Sequence, residues 1–372
     1  MMNNLLGGLE RMNSYERVKQ ALSHNFPDRV PCDFSAEEEV VEELCRYFEV
    51  STKNELLNIL DIDRRSVGPK YIGPELKSYE DGSYEMIVSG GPKFKKIPAI
   101  AGGTSESIIH FPWSDVESAC DLEGRYGWNG HISWWDFSVI QNQIEELGEQ
   151  GEYWITAHGD PSGLQHLSMW VGDEKFLMTL ALNEELAMAM IEKHNGFRLE
   201  HALKTLEAGG GRINELNGGG DYGTQSGLLI SKEMFKRYFK PTMIKFYKEI
   251  KKNFDVEIFV HSCGAIAELI PDFIEVGVTI LDPIQVGAKG MEIEKLKEMY
   301  GDKINFHGAI DIQQLLPYAT EAEVRREVRR AINILGNKGG YILSPTHMIQ
   351  SDTPIKNILA MYEEAQGRKF SR

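Results

Sequence analysis

The feature that most constrains the fold is an alternation, after about residue 150, of short β-branched runs with amphipathic helical stretches. This alternation is typical of a parallel sheet wrapped by helices. Each apolar run closes on polar residues. The runs are YWITAHGD (153–160), GRINELNGGGD (211–221), VEIFVHSCG (256–264), VTILDPIQ (278–285), INFHGAID (304–311) and GYILSPTH (340–347).

Two further runs precede this series and bring the number of strands to eight. They are DRVPCDF (28–34) and IDRRSVGP (62–69), and the helical stretch SAEEEVVEELCRYF separates them. Eight is the number of strands that closes a (β/α)8 barrel. A chain of 372 residues would also suit two medium domains, but the strand count favours one. We therefore predict an α/β fold, a (β/α)8 TIM barrel forming a single domain over residues 1–372.

Residues 70–150 do not follow the alternation and are predicted to be an insertion after the second strand, over the barrel mouth. Their DG and GG pairs indicate antiparallel hairpins, and IQNQIEELGEQ indicates a helix that leads back into the barrel. The tryptophans concentrate in or near this segment. They either line a concave ligand site or attach the insertion to the barrel. The six tryptophans are Trp113, Trp128, Trp134, Trp135, Trp154 and Trp170.

Charge and composition exclude several classes of protein. With 40 Lys and Arg against 56 Asp and Glu, the formal net charge is −16, which would repel a nucleic-acid backbone. The chain has only 4 cysteines, and its start lacks the order of a secretory signal. No apolar run is long enough for a membrane span. We expect a cytoplasmic protein with no nucleic-acid or membrane partner.

Polar side chains mark the carboxyl ends of the predicted strands, where TIM barrels build their active sites. Any one of them is also compatible with a structural role. Together they are His158, Asp160, Glu215, Asn217, Asp221, His261, Cys263, Asp282, Gln285, His307 and His347.

The pair His261 and Cys263 indicates a metal site. Side chains two residues apart in a strand project to the same side, and imidazole and thiolate are ligands that zinc favours. Gly264 is expected to open a helix whose N-terminus favours the thiolate. His347 is the first choice for a third ligand and Glu215 the second. The alternative is a buried thiol beside a hydrogen-bonded histidine.

Several longer segments resemble the uroporphyrinogen decarboxylase superfamily, over nearly the whole chain. The segments are SYERVKQALSHNFPDRVPCDF, DYGTQSGLLISKEMFKRYFKPTMIKFYKEIK, HSCGAIAELIPDFIEVGVTILDPIQ, INFHGAID and GGYILSPTHMIQSDTPIKNI. The resemblance implies a (β/α)8 barrel. It also implies one of two chemistries.

The first chemistry is decarboxylation of uroporphyrinogen. The resemblance implies that a true decarboxylase carries an arginine-rich RQAGR-like segment after the first strand, which grips the substrate carboxylates. This chain has DFSAEEEVVEELCR there, which is acidic. Decarboxylation is therefore the alternative prediction, and a barrel that binds a ligand or a corrinoid protein without turnover is a second alternative.

The second chemistry is that of the cobamide-dependent methyltransferases, including those acting on coenzyme M and on methoxylated compounds. The resemblance implies a Zn²⁺ held by a His-x-Cys pair and a later cysteine in a stretch like APGCGI. His261 and Cys263 match the pair, and SPTHMI places His347 where the later cysteine would stand. The implied partners are a small-molecule methyl donor or acceptor and a separate protein that carries the corrinoid (cobamide) cofactor. A homodimer is also allowed.

This interpretation gives roles to the remaining polar residues. The candidates for supplying a proton to a departing alkoxide are Glu215, Asp221 and His307. The candidates for contacting substrate, together with the tryptophan-rich insertion, are His158, Tyr222, Gln225 and Asp282. Asp221 stands alone where relatives often have two adjacent acids.

Overall fold

The computed structural model describes residues 11–98, 104–127, 130–148, 151–161 and 163–370. Short strands and longer helices alternate through its second half. The strands are β1 (Arg64–Val67), β2 (Lys70–Tyr71), β3 (Tyr84–Glu85), β4 (Lys93–Pro98), β5 (Thr104–His110), β6 (Trp135–Asp136), β7 (Trp154–His158), β8 (Glu215–Gly219), β9 (Glu257–His261), β10 (Ile280–Ile284), β11 (Asn305–Ile310) and β12 (Tyr341–Pro345).

Helices follow most of the parallel strands, as the sequence pattern predicts. Short 3₁₀ turns and one π-helical turn, Phe235–Phe239, interrupt them. The helices are α1 (Ser14–Leu22), α2 (Glu38–Phe48), α3 (Lys53–Ile59), α4 (Val139–Glu146), α5 (Leu164–Val171), α6 (Asp173–Leu182), α7 (Glu184–Ala208), α8 (Lys232–Met234), α9 (Lys240–Asn253), α10 (Ile270–Glu275), α11 (Ile293–Tyr300), α12 (Leu315–Tyr318), α13 (Glu321–Leu335) and α14 (Ile355–Gln366).

The main sheet has seven parallel strands in the order β1-β7-β8-β9-β10-β11-β12. Residues 31–33 join its two edges. Asp33 donates its backbone N–H to the Leu343 carbonyl at 2.9 Å, and the Asp63 N–H donates to the Cys32 carbonyl at 3.0 Å. The segment therefore occupies the position of the eighth strand, and the predicted TIM-barrel fold is confirmed.

The sequence of the barrel strands explains why they form its interior. Ile258, Val260, Leu281 and Phe306 are at most 1% exposed, because each strand is covered by helices outside and packed against its neighbours inside. Parallel strands buried on both faces carry nearly continuous apolar runs. The polar residues that end these runs consequently lie at one rim of the barrel.

Residues between β1 and β7 form separate antiparallel strands. β2 pairs with β6, and β3, β4 and β5 form a three-stranded sheet in which β4 pairs with both neighbours. Helix α4 then leads to β7, as predicted. That this segment covers the barrel mouth stays a prediction.

The tryptophans of this region contact the barrel helices. The ring of Trp113 lies 5.4 Å from that of Trp170 in α5, and the ring of Trp135 lies 4.9 Å from that of His201 in α7. These contacts fit the interpretation in which the aromatic side chains attach the segment to the barrel. Trp128 lies outside the described residues.

A group of paired charges, here called the base cluster, lies at the amino-terminal end of the barrel and consists of Arg17, Arg29, Asp28 and Asp63. Asp63 immediately precedes β1 and is fully buried. It accepts hydrogen bonds from Arg17 at 2.6 Å and from Arg29 at 2.8 Å. The base cluster connects α1 to the start of the barrel.

No helix among the described residues is both long enough and apolar enough to cross a lipid bilayer.

Candidate metal centre and pocket

A cavity of about 470 Å³ opens at the carboxyl ends of the strands. Its walls come from the segments that follow β8, β9, β10, β11 and β12, so that five separate parts of the chain meet there. This is the end at which a TIM barrel places its active site. Among the residues that line it are Asp221, Gln225, Cys263, Gln285 and His347.

Three side chains at this cavity place metal-ligand atoms close together. One ligand atom from each of Asp221, His261 and Cys263 lies within 4.8 Å of the others. The His261 Nε2 atom is 3.5 Å from the Cys263 sulfur and 3.6 Å from Asp221 Oδ1. Two ligands of one tetrahedral zinc ion stand about 3.4–3.6 Å apart, given its usual bond lengths. The arrangement therefore fits a single zinc-sized ion.

The imidazole of His261 is held in the orientation that metal binding requires. Its Nδ1 lies 2.5 Å from Asp282 Oδ2 and donates to this carboxylate, so that Nε2 is the nitrogen that would face a metal ion. A carboxylate behind a ligating histidine fixes the tautomer and raises the basicity of the ring. Asp282, for which substrate binding stays a prediction, is 8% exposed and hydrogen-bonds His261 in this structure.

A hydrogen-bonded network, here called the interior network, extends from Asp282 into the barrel. Asp282 Oδ1 accepts from His307 Nδ1 at 2.5 Å, and His307 Nε2 lies 3.1 Å from Asp33 Oδ2. Arg64 pairs with Asp33 and with Glu215. Because the acids alternate with basic groups, the buried charges are compensated along its length.

The pairing shifts the pKa values of the network. Burial raises the pKa of Asp282, but the imidazoles of His307 and His261 outweigh this effect and hold that pKa well below its usual range. Burial lowers the pKa of His307, and the carboxylates of Asp282 and Asp33 reverse the effect and raise it. Asp282 is therefore ionised at neutral pH and available to anchor His261.

The expectation about Gly264 is wrong. The helix begins at Ile270 after a short 3₁₀ turn, and Gly264 lies in a bend at φ +91°. A side chain here would collide with the backbone of Gly223 at 2.5 Å, which explains the glycine. Burial raises the pKa of Cys263, so that the local structure alone does not favour the thiolate. A bound metal ion would displace the thiol proton.

The two residues predicted as third ligand have different surroundings. His347 lines the cavity, and its ring lies 6.0 Å from that of His261. Glu215 is fully buried, accepts from the Trp154 indole at 2.9 Å and pairs with Arg64. Glu215 therefore belongs to the interior network. Asp221, predicted as a proton donor, is the acid that stands beside His261 and Cys263.

The structure also separates the other predicted site residues. His307 is 4% exposed and lies in the interior network. Tyr222 is 2% exposed and packs against Phe235 and Phe239, behind the cavity and not along it. His158 is exposed at the end of β7, where its Nδ1 lies 3.1 Å from Asn217. Of the predicted substrate contacts, Gln225 lines the cavity.

Several residues at the cavity and in the interior network were not predicted. Asp33 and Arg64 lie on predicted strands, and a charged residue within an apolar run is the signal that would have identified them. Gln313 and Gln350 line the cavity from the loops after β11 and β12. Their signal is their position just beyond a strand end.

Comparison with known families identifies the chain. The family described as uroporphyrinogen decarboxylase (URO-D) matches residues 165–368, which is more than half of the 372 residues. The chain belongs to the uroporphyrinogen decarboxylase family. The matched range includes β8 to β12 and therefore every wall of the cavity.

One solved structure supports the same fold. A methyltransferase from Methanosarcina mazei is similar with a TM-score of 0.67 at 16% identity, covering 96% of this chain and 99% of that chain. The chitinase Chi1, fitted into the structure of the Yersinia entomophaga toxin complex, aligns with 78% of this chain and over 68% of the chitinase chain, at 13% identity and a TM-score of 0.35. No curated protein sequence matches the chain.

Proposed function

We propose that this protein is a zinc-dependent methyltransferase that transfers a methyl group between a small compound and a corrinoid (cobamide) cofactor carried by a partner protein. The observation that carries the proposal is the group formed by Asp221, His261 and Cys263, whose ligand atoms lie within 4.8 Å of one another at an open cavity. The similarity of the fold to a methyltransferase supports it.

The donor set fits zinc better than a harder cation. Imidazole, thiolate and carboxylate are all zinc ligands, whereas Mg²⁺ and Ca²⁺ prefer oxygen ligands alone. We assign the third position to Asp221 because its carboxylate is next to His261 Nε2, at 3.6 Å. That His347 is the third ligand stays a prediction. With three protein ligands, the zinc ion would supply Lewis acidity to a substrate oxygen at its open position.

The protein's own residues would orient the ligands and the substrate. Asp282 holds His261 in the ligating tautomer, and the backbone N–H of Cys263 donates to Asp221 Oδ1 at 2.8 Å, which fixes that carboxylate. His347 faces the same cavity and is placed to hydrogen-bond a departing oxygen. Glu215 and His307, which belong to the interior network, would support the site through Asp282.

The corrinoid would be the nucleophile that accepts the methyl group, and it would reach the cavity from the solvent side. The group of ligands is partly exposed, with 28% of the His261 side chain and 32% of the Asp221 side chain accessible. A cofactor carried by a partner protein requires such access. This opening is consistent with the proposed partner.

Decarboxylation of a tetrapyrrole is less well supported. A substrate with many carboxylates needs guanidinium or ammonium groups around it. Within the described part of the chain, twelve residues line the cavity, and none of them is Lys or Arg. The guanidinium of Arg64 already pairs with the carboxylates of Asp33 and Glu215 inside the barrel.

The experiment that tests the proposal combines metal analysis with a transfer assay. We expect the purified protein to retain about one zinc ion and to form methylcobalamin from cob(I)alamin and a methoxylated compound. Cys263→Ser should lose both, whereas Cys120→Ser, which changes an exposed cysteine in the inserted segment, should keep both. Release of carbon dioxide from uroporphyrinogen by the metal-free protein would contradict the proposal.

A further inference from the structure

The cavity at the barrel mouth is lined mainly by uncharged hydrogen-bonding groups. Of the twelve described residues that line it, four are glutamines and two are threonines, whereas none is a lysine, an arginine, a phenylalanine, a tyrosine or a tryptophan. The polar set comprises Thr224, Gln225, Gln285, Gln313, Thr346 and Gln350. Such a lining satisfies hydroxyl and ether oxygens. It offers an anion no permanently charged cation, and the imidazole of His347 is the one ring among these twelve residues on which an aryl group could stack.

Gln285 is the most constrained of these side chains. It is 8% exposed, and its Oε1 accepts the backbone N–H of Gly264 at 2.7 Å. Because a backbone N–H must meet the carbonyl side of the carboxamide, the orientation of the amide is fixed. Its NH₂ group has no acceptor among the described residues and is accessible from the cavity that Gln285 lines. This group is therefore a donor available to a ligand, on a side chain that is hydrogen-bonded to Gly264, the residue after Cys263.

The rim of the cavity continues this pattern. Gln225 Nε2 donates to Gln313 Oε1 at 3.4 Å and links the segment after β8 to the loop after β11.

The charge of the metal site also favours an uncharged ligand. The two anionic groups Asp221 and Cys263 would cancel the charge of a divalent ion between them, so that the loaded site offers an anionic substrate no net attraction.

We infer that the methyl donor is a small, uncharged aliphatic oxygen compound, an aliphatic methyl ether or methanol, recognised by the Gln285 NH₂ group and the glutamine rim. This inference rests on the proposed function. In the reaction the methyl C–O bond breaks and a cobalt–carbon bond forms with the electron pair of cobalt(I). The electron pair of the C–O bond stays on the oxygen, which takes one proton from solvent and leaves as the alcohol, or as water where methanol is the donor.

The first experiment compares three donors with the zinc-loaded protein and cob(I)alamin. They are 2-methoxyethanol, methoxyacetate, which exchanges the hydroxymethyl group for a carboxylate, and anisole, which has an aryl group. We expect kcat/KM for 2-methoxyethanol to exceed both others by at least about tenfold, because a polar site rejects a ligand that it cannot pair. A preference for methoxyacetate or anisole would overturn the inference and leave the proposed function standing.

Two variants test the residues. Gln285→Glu keeps an acceptor for the Gly264 N–H but removes the NH₂ donor, so KM for 2-methoxyethanol should rise about tenfold with zinc content unchanged. Gln313→Lys adds a cation at the rim and should shift the preference about fivefold towards methoxyacetate. Gln314→Lys is the matched control, since Gln314 is the next residue along the chain and its exposed side chain is not among those that line the cavity. Unchanged KM and unchanged preference would contradict the assignment.

A binding measurement separates failure of this inference from failure of the proposed function. Saturation-transfer NMR on the zinc-loaded protein should show 2-methoxyethanol bound in preference to methoxyacetate, and Gln285→Glu should abolish the preference. If no donor yields methylcobalamin, the proposed function fails, and the NMR preference still decides which ligand class the cavity accepts. Equal or preferential binding of methoxyacetate would overturn the inference.

Discussion

Two groups of ionisable residues lie at opposite ends of the barrel, and each contains an aspartate with a different role. In the base cluster, Asp63 is fully buried and accepts from Arg17, from Arg29 and from the backbone of Cys32 at 2.7 Å. At the mouth, the carboxylate of Asp221 is 32% accessible and stands beside an imidazole and a thiol.

The difference lies in the partner. A guanidinium is permanently charged and cannot bind a metal, so an acid paired with it is committed to structure. Imidazole and thiol release a proton and offer a lone pair, so an acid next to them completes a metal site. The comparison therefore predicts that changes in the base cluster affect the free energy of unfolding, whereas changes at the mouth affect metal binding.

The largest expected effect on stability is that of Asp63→Ala. It removes the buried carboxylate that Arg17 and Arg29 share and leaves each arginine with one partly exposed partner, and breaking such a buried pair costs about 3–5 kcal/mol. Urea denaturation monitored by circular dichroism measures this loss. Asp61→Ala removes a partly exposed partner of Arg29 and should cost about 1 kcal/mol or less. Equal losses in the two variants would contradict the role of the base cluster.

Changes to the ligand pair should have the opposite signature. We expect Cys263→Ser and His261→Ala each to lower zinc affinity by more than about 100-fold, which exceeds the loss caused by removing a residue that only hydrogen-bonds a ligand. Both variants should lose less unfolding free energy than Asp63→Ala. Competition with a chromogenic chelator measures the affinity. Retention of zinc in Cys263→Ser would remove the thiol from the ligand set.

Asp282 tests the link between the mouth and the interior network. Asp282→Asn replaces the anion behind His261 with a neutral amide, and loss of such an outer partner lowers metal affinity by about 10–100-fold. The same chelator competition measures it, with Asp311→Asn, an exchange in the loop after β11, as the control. Affinity within threefold of wild type would show that Asp282 does not position the imidazole.

The smallest expected effect separates the two candidates for the third ligand. If Asp221 is the ligand, Asp221→Asn should weaken zinc binding more than His347→Ala, which should stay within about tenfold of wild type. Both affinities come from one chelator titration series. The reverse order would assign the third position to His347, as the sequence predicts.

The strands and their polar ends could be predicted because both follow from local patterns. All eight predicted strand positions lie in the barrel, and Asp221, His261, Cys263 and His347 meet at one end of it. A side chain that ends a parallel strand reaches the same rim as its counterparts, so sequence position alone brings these residues together.

The remaining roles depended on partners that are distant in sequence. Glu215 opens β8, four residues before the strand end, and Arg64, its partner inside the barrel, is 151 residues away. Tyr222 follows Asp221 directly, but its ring turns into a group of phenylalanines that belong to later helices. No local pattern reveals such a pairing, since packing decides which of two adjacent polar residues faces the cavity.

The most direct test of a zinc ion bound at the mouth is X-ray absorption at the zinc edge of the purified protein. We predict one sulfur ligand at about 2.3 Å and the remaining ligands nitrogen or oxygen at about 2.0–2.2 Å, with the sulfur signal lost in Cys263→Ser. A spectrum without sulfur in the wild-type protein, or one that Cys263→Ser leaves unchanged, would contradict the account.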